Sequence, residues 1–121
     1  MGTAFFVLAI AAASAIGALS RFAVHEWFRL RHATTFPYGT LVVNLSGSLA
    51  LGWLFGRGVG GDTAFVLGTG VLGSYTTFST WMFESERLVE EEQGRVAAAN
   101  VGISLVAGLL AVACGWALAA L

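Results

Sequence analysis

Gly-Ser-Tyr-Thr-Thr-Phe-Ser-Thr-Trp, residues 73–81, interrupts a run that is otherwise apolar enough to cross a membrane. From Gly68 to Thr80, nine of thirteen residues are Gly, Ser or Thr, a composition for which a lipid-facing helix has no use. Inside a bilayer every backbone N–H and C=O must find its partner within the protein. Irregular backbone at that depth is tolerated where it is buried in protein or lines a polar cavity, so the interruption points to an ion or substrate site.

Around this stretch lie four uncharged segments, Thr3–Ser20, Ala33–Gly56, Thr63–Phe83 and Val96–Leu121, of 18, 24, 21 and 26 residues. About 20 helical residues cross a hydrocarbon core roughly 30 Å thick, so each is long enough to span. Only Val24–His32, Arg57–Asp62 and Glu84–Arg95 are clearly polar. The expectation is an all-α membrane protein: one domain over residues 1–121, four transmembrane helices with short loops, and a third helix broken mid-membrane. The first segment lacks the basic start of a signal peptide, and no soluble domain follows it. A net charge of −1, from six arginines, no lysine and seven acidic residues, leaves no basic footprint for nucleic acid. The single cysteine, Cys114, lies in the fourth apolar segment and reads as a small hydrophobe. No phosphate-binding loop, dinucleotide fingerprint, zinc spacing or nucleophile elbow is present. His25 and His32 read as interfacial or solvated rather than as metal ligands. Nothing in the chain suggests an enzyme.

Polar residues inside the spans carry the remaining signal. Arg21 falls near the end of the first span, either snorkelling to the headgroups or turned inward to a polar partner. The second span starts with Thr34 or Thr35 as a candidate cap and Pro37 in its first turn. Thr40, Asn44, Ser48, Gly52 and Gly56 then follow at intervals of four, making one polar-to-small stripe on a single face. Small residues at that spacing let helices approach closely, but the Asn44 carboxamide needs several hydrogen-bond partners and so reads as functional or networked. In the fourth span Asn100, Ser104 and Gly108 repeat the spacing, with Asn100 near the interface. The run Glu84–Arg95 holds five glutamates and reads as a solvated helix end with pairs such as Glu91–Arg95. Glu84 stands apart, one turn beyond Thr80.

Loops one and three hold Arg29, Arg31, Arg87 and Arg95, against Arg57 on the side of both termini. Positive-inside logic therefore favours cytoplasmic loops one and three. Four short helices enclose too little space to surround a polar route, so at least a dimer is expected.

The chain closely resembles the CrcB/Fluc fluoride channel family. The segments that carry the resemblance are Gly-Ala-Leu-Ser-Arg-Phe (17–22), Phe-Pro-Tyr-Gly-Thr-Leu-Val-Val-Asn-Leu-Ser-Gly-Ser (36–48), the stretch 73–81, and the Ser104–Gly108 stripe. The resemblance implies a dual-topology channel of two antiparallel subunits with two fluoride pores. It implies an arginine at Arg21, a pore-lining asparagine at Asn44, a vestibule threonine at Thr40 and a pore-end glutamate at Glu84, with Thr80 a neighbouring hydroxyl. The two ion-facing phenylalanines of the family fall at Phe78 and at Trp81, where the ring differs. A structural Na⁺ at the dimer centre would fall to the backbone carbonyls of Gly73 and Ser74. Asn100 stands where relatives often carry tyrosine, whereas Ser104 matches better.

The chemistry of the residues agrees. Fluoride is a small, hard anion, and a selective pore must replace its hydration shell with donors: the Asn44 amide, the hydroxyls of Thr40, Thr77, Thr80 and Ser104, and an aromatic edge. A full positive charge in the narrow part would hold the ion too tightly, and no Arg or Lys occurs between Arg57 and Arg87. The implied activity is passive export of cytoplasmic fluoride across the cell membrane. The alternative is a small proton-coupled exporter of the four-helix multidrug type, which needs a carboxylate deep in the membrane; none precedes Glu26. The arginine asymmetry also admits a heterodimer with an oppositely oriented homologue in place of an antiparallel homodimer.

Overall fold

The first apolar segment does not stop where its charges begin. In the computed structural model, which describes residues 1–121, α1 runs from Thr3 to Arg31 as one helix. The polar residues after Ser20 remain good helix formers, and Arg29 reaches back to Glu26 in a two-bonded ion pair at 2.7 and 3.0 Å. Past His32 the chain turns through Ala33–Pro37 into α2, Tyr38–Gly56.

The expected threonine cap on α2 is absent. The Thr34 hydroxyl donates to the Phe36 carbonyl at 2.8 Å, and Pro37 sits just before the helix with no side-chain cap. The hydroxyl closes a local turn instead, while proline fixes φ at the entry. α2 ends when Gly58 takes φ +71°, the Gly58 N–H bonds Phe55, and the Val59 N–H returns to Leu54. That left-handed residue favours glycine and closes the last carbonyls.

The third segment is a series of pieces: α3 (Gly61–Ala64), a π-helical stretch (Phe65–Leu72), α4 (Gly73–Tyr75), and α5 (Ser79–Glu90). In the π-helical stretch the Gly73 N–H bonds Gly68, five residues back. At Thr76 ψ is 159°, an extended value. α6, Gly94–Ala119, completes the chain. The molecule is all-helical, and α1, α2 and α6 are each long and apolar enough to cross a membrane.

The molecule has little interior. Fifteen of 121 residues are buried, and Phe5, Leu8, Leu19, Leu109 and Leu110 are each more than 60% exposed. Apolar side chains outside and small residues inside are what lipid as solvent produces. α2 packs most extensively on α6 through facing glycines. A Cβ on Gly52 would collide with the Val112 carbonyl, and one on Gly115 with the Leu49 carbonyl and, at 2.8 Å, the Trp53 nitrogen. α1 meets the third segment in the same way: Gly17 lies against the Val71 carbonyl, and Gly70 against Ala13. The stripe of α2 thus has two uses, with Gly52 and Gly56 admitting α6 and Thr40 and Asn44 facing polar partners.

The expected Glu91–Arg95 pair does not form. α5 stops at Glu90, Glu92 takes φ 60°, and Arg95 begins a different helix; Glu91 pairs instead with Arg87 at 2.8 Å. Gly115→Val should destabilise the protein by about 1–3 kcal/mol through overpacking, read as a lowered Tm of the detergent-solubilised protein. Gly102→Ala is the control, because nothing lies within 4 Å of the added Cβ. Equal melting of the two variants would refute the close α2–α6 approach.

Candidate functional site

An interrupted helix leaves backbone groups without helical partners, and here those of Thr76 and Thr77 find named ones. The Thr76 N–H and its own hydroxyl both donate to the Leu72 carbonyl at 2.9 Å. The Thr76 carbonyl accepts from Arg21 Nη1 at 3.4 Å. Arg21 is therefore turned inward to polar backbone. The Thr77 N–H donates to Asn44 Oδ1 at 2.8 Å, and Asn44 Nδ2 donates to the Thr77 carbonyl at 2.9 Å. One carboxamide so replaces both helical bonds of a residue. Thr77 Oγ1 accepts the Thr80 N–H at 3.2 Å and donates to Thr80 Oγ1 at 3.0 Å, capping the start of α5 from three residues upstream.

Beside this junction lies a groove of about 390 Å³ between α2, the third segment and α6. Asn44, Ser48, Thr77, Phe78, Trp81 and Ser104 contribute to its wall, and no charged side chain does. Phe78 is 70% exposed and meets Trp81 edge-on, ring centres 5.7 Å apart and planes at 84°. Gly73 also lines the groove, whereas Ser74 packs behind it against Gly17.

Of the residues singled out from sequence, the fold brings Asn44, Thr77, Phe78, Trp81 and Ser104 to one wall. Thr80, Thr40, Glu84 and Arg21 lie outside it. Thr40, 2% exposed, donates its hydroxyl to Glu84 across the α2–α5 contact. Glu84 opens instead into a second, polar hollow of about 400 Å³ between residues 33–37 and α5, shared with Arg87 and Glu91. The hydrogen bond and charge of Glu91 raise the Arg87 pKa above its ordinary value, so the cation nearest Glu84 is already paired.

Two residues have roles that the sequence did not suggest. Asn100 is fully buried rather than interfacial: its Nδ2 donates to Ser85 Oγ at 2.8 Å. Ser85 donates in turn to the Trp81 carbonyl at 2.9 Å. Ser85 sits in the glutamate-rich run that reads as a solvated helix end. The available signal was the spacing of Trp81, Ser85 and Leu88, which places all three on one face of α5; Ser85 and Leu88 are buried.

The family model described as "CrcB-like protein, Camphor Resistance (CrcB)" matches residues 8–116. The chain belongs to the CrcB family. Among similar proteins of this family, one from Mycobacterium tuberculosis (strain CDC 1551 / Oshkosh) is 49% identical over 83% of this chain and 79% of its own length. One from Mycolicibacterium paratuberculosis (strain ATCC BAA-968 / K-10) is 44% identical over 100% of this chain and 99% of its own length. One from Bacillus cereus (strain ATCC 10987 / NRS 248) is 35% identical over 85% of this chain and 87% of its own. All three carry the name "Fluoride-specific ion channel FluC 2". With α1, α2 and α6 each able to span, this CrcB protein is a multi-pass membrane protein.

Asn44→Leu should orphan the Thr77 N–H and C=O at a cost of about 1–3 kcal/mol for each buried group. Hydrogen exchange read by mass spectrometry should then show lost protection over residues 76–80. Native-like protection in that variant would refute the carboxamide clamp.

Proposed function

We propose that the chain is one subunit of a fluoride-selective passive channel that lets cytoplasmic fluoride leave the cell down its electrochemical gradient. The observation that carries this reading is the groove, a largely apolar wall that carries a few neutral polar groups, two aromatic rings and no fixed charge, at the N-terminal end of α5. The positive end of a helix dipole favours an anion there without trapping it as an arginine would. The names of the relatives support fluoride as that anion.

In this reading Asn44 offers its amide, Thr77, Thr80 and Ser104 offer hydroxyls, and Phe78 and Trp81 offer the positive edges of their rings. Arg21 attracts anions in general and braces the break from its far side. Thr40 and Glu84 mark the pathway's end, where the hollow beside residues 33–37 opens. The third segment crosses the bilayer as a broken span whose carbonyls and donors face protein.

A second copy in inverted orientation roofs the groove, and the exposure of Phe78 supports such a cover. The homodimer is the simpler assembly. The heterodimer with an oppositely oriented homologue follows if a singly expressed subunit inserts in one orientation only. Gly73 and Ser74 would hold a structural Na⁺ between the copies. The Thr77 N–H that an unbroken helix would give to the Gly73 carbonyl is taken by Asn44, which leaves a hard, uncharged oxygen suited to a monovalent cation. The exporter alternative finds no support: the groove contains no carboxylate to carry a proton.

Fluoride-loaded liposomes containing the purified protein should empty when a potassium shunt is added, with no pH gradient, while chloride-loaded liposomes should not. Strict dependence on proton flux would favour the exporter, and equal chloride release would refute selectivity. Asn44→Asp should slow fluoride flux at least about tenfold, because a carboxylate repels the anion at close range. Phe78→Ile should impair flux while leaving the dimer intact on crosslinking, and native flux in that variant would remove the aromatic edge from the pathway.

A further inference from the structure

An indole N–H is a donor with no acceptor role of its own, and in a groove built for a hard anion it would bind that anion directly. Trp81 Nε1 does not point there: it donates to the main-chain carbonyl of Asn100 at 3.1 Å. The same asparagine holds Ser85 through Nδ2 at 2.8 Å, and Ser85 returns to the Trp81 carbonyl at 2.9 Å, closing a ring of bonds between α5 and α6. The other side-chain atom, Oδ1, accepts the Ser104 hydroxyl at 3.4 Å. Asn100 is fully buried, so its amide makes these bonds without competition from water.

We infer that Asn100 and Ser85 are positioning residues for the ion pathway: they hold Trp81 with its N–H turned away from the groove, so that a ring edge and not a hydrogen-bond donor meets the ion. The chemistry gives this a purpose. A fixed N–H would add a strong, slowly released contact, whereas a C–H edge attracts an anion weakly enough for it to leave. The edge-on packing of Phe78 against the held ring fixes the second contact. Ser104 is poised by the same residue, since its long bond to Oδ1 is easily exchanged for one to an ion. The inference rests on the fluoride-channel reading for its purpose, but the bond network itself does not.

The test is nuclear magnetic resonance of protein labelled with ¹⁵N-tryptophan in micelles, the Trp81 indole signal being assigned by its absence in Trp81→Phe. In the native protein the Nε1–H should exchange slowly with D₂O and should not shift on titration with sodium fluoride. Ser85→Ala should raise that exchange rate about tenfold or more, since it removes two bonds of the ring and leaves a buried amide unpaired. It should also lower the fluoride-to-chloride flux ratio in vesicles, and Ser85→Thr should restore both. Rapid exchange in the native protein, a fluoride-dependent shift of the Trp81 N–H, or unchanged exchange in Ser85→Ala would each overturn the inference. Absence of fluoride flux through the native protein would instead sink the channel reading, and the exchange measurement remains decisive in that case.

Discussion

The two hydrogen bonds between the Asn44 carboxamide and the main chain of Thr77 are the interaction on which the rest of the structure depends. In hydrocarbon a helix cannot simply stop, because its orphaned groups have no water to turn to. A carboxamide carries N–H donors and a carbonyl acceptor in one plane and so can stand in for the peptide partners a broken helix loses. With Thr77 satisfied in this way, α5 starts afresh at Ser79, its first turn held by the Thr77 hydroxyl. Arg21, bonded to the adjacent Thr76 carbonyl, braces the same junction from α1. The break is therefore held from two helices and belongs to the tertiary structure.

Backbone proximity is what makes such bonding possible. Between helices in lipid there is no hydrophobic gain to draw long side chains together, so contacts come from small residues that let main chains touch. Gly52 against Val112, Gly115 against Leu49 and Gly17 against Val71 are three instances of one solution. Leucine or valine at these positions would push the helices apart, and the glycine that brings α2 close to the Thr76–Thr77 stretch is Gly47, which faces the Thr76 side chain. The apolar bulk instead faces outward, which is why so little of the chain is buried.

The groove is largely apolar, and its polar groups are all neutral. Its wall has hydroxyls, one carboxamide and two rings, while the charged residues nearby are engaged elsewhere: Arg21 on a carbonyl, Glu84 on Thr40, Arg87 on Glu91. Even the indole N–H of Trp81 is withdrawn into the α5–α6 contact. Engaging Arg21 and the Trp81 N–H elsewhere leaves fewer strong donors to hold an anion in the groove.

Three of the four apolar runs became helices long enough to span, α1, α2 and α6, and these were legible from length and uncharged composition alone, because bilayer thickness sets the length of a spanning helix. The Gly/Thr stretch likewise advertised unusual backbone, and the four-residue spacing of Thr40, Asn44 and Gly52 placed polar and small groups on one side of α2. Short-range pattern did not reach further. Thr34 turned out to close a local turn rather than cap α2, and Arg87 rather than Arg95 took Glu91, since a left-handed residue at Glu92 ends α5 first. The direction of Arg21, the burial of Asn100 and the use of Ser85 depend on which residues of distant segments come within hydrogen-bonding reach, and no periodicity encodes that. The sequence alone determined that α1, α2 and α6 are long and apolar enough to span and that the backbone near residues 73–81 would need help; only the packed structure decided which side chain supplies it, because a hydrogen bond is won by the group that arrives at the right distance and angle.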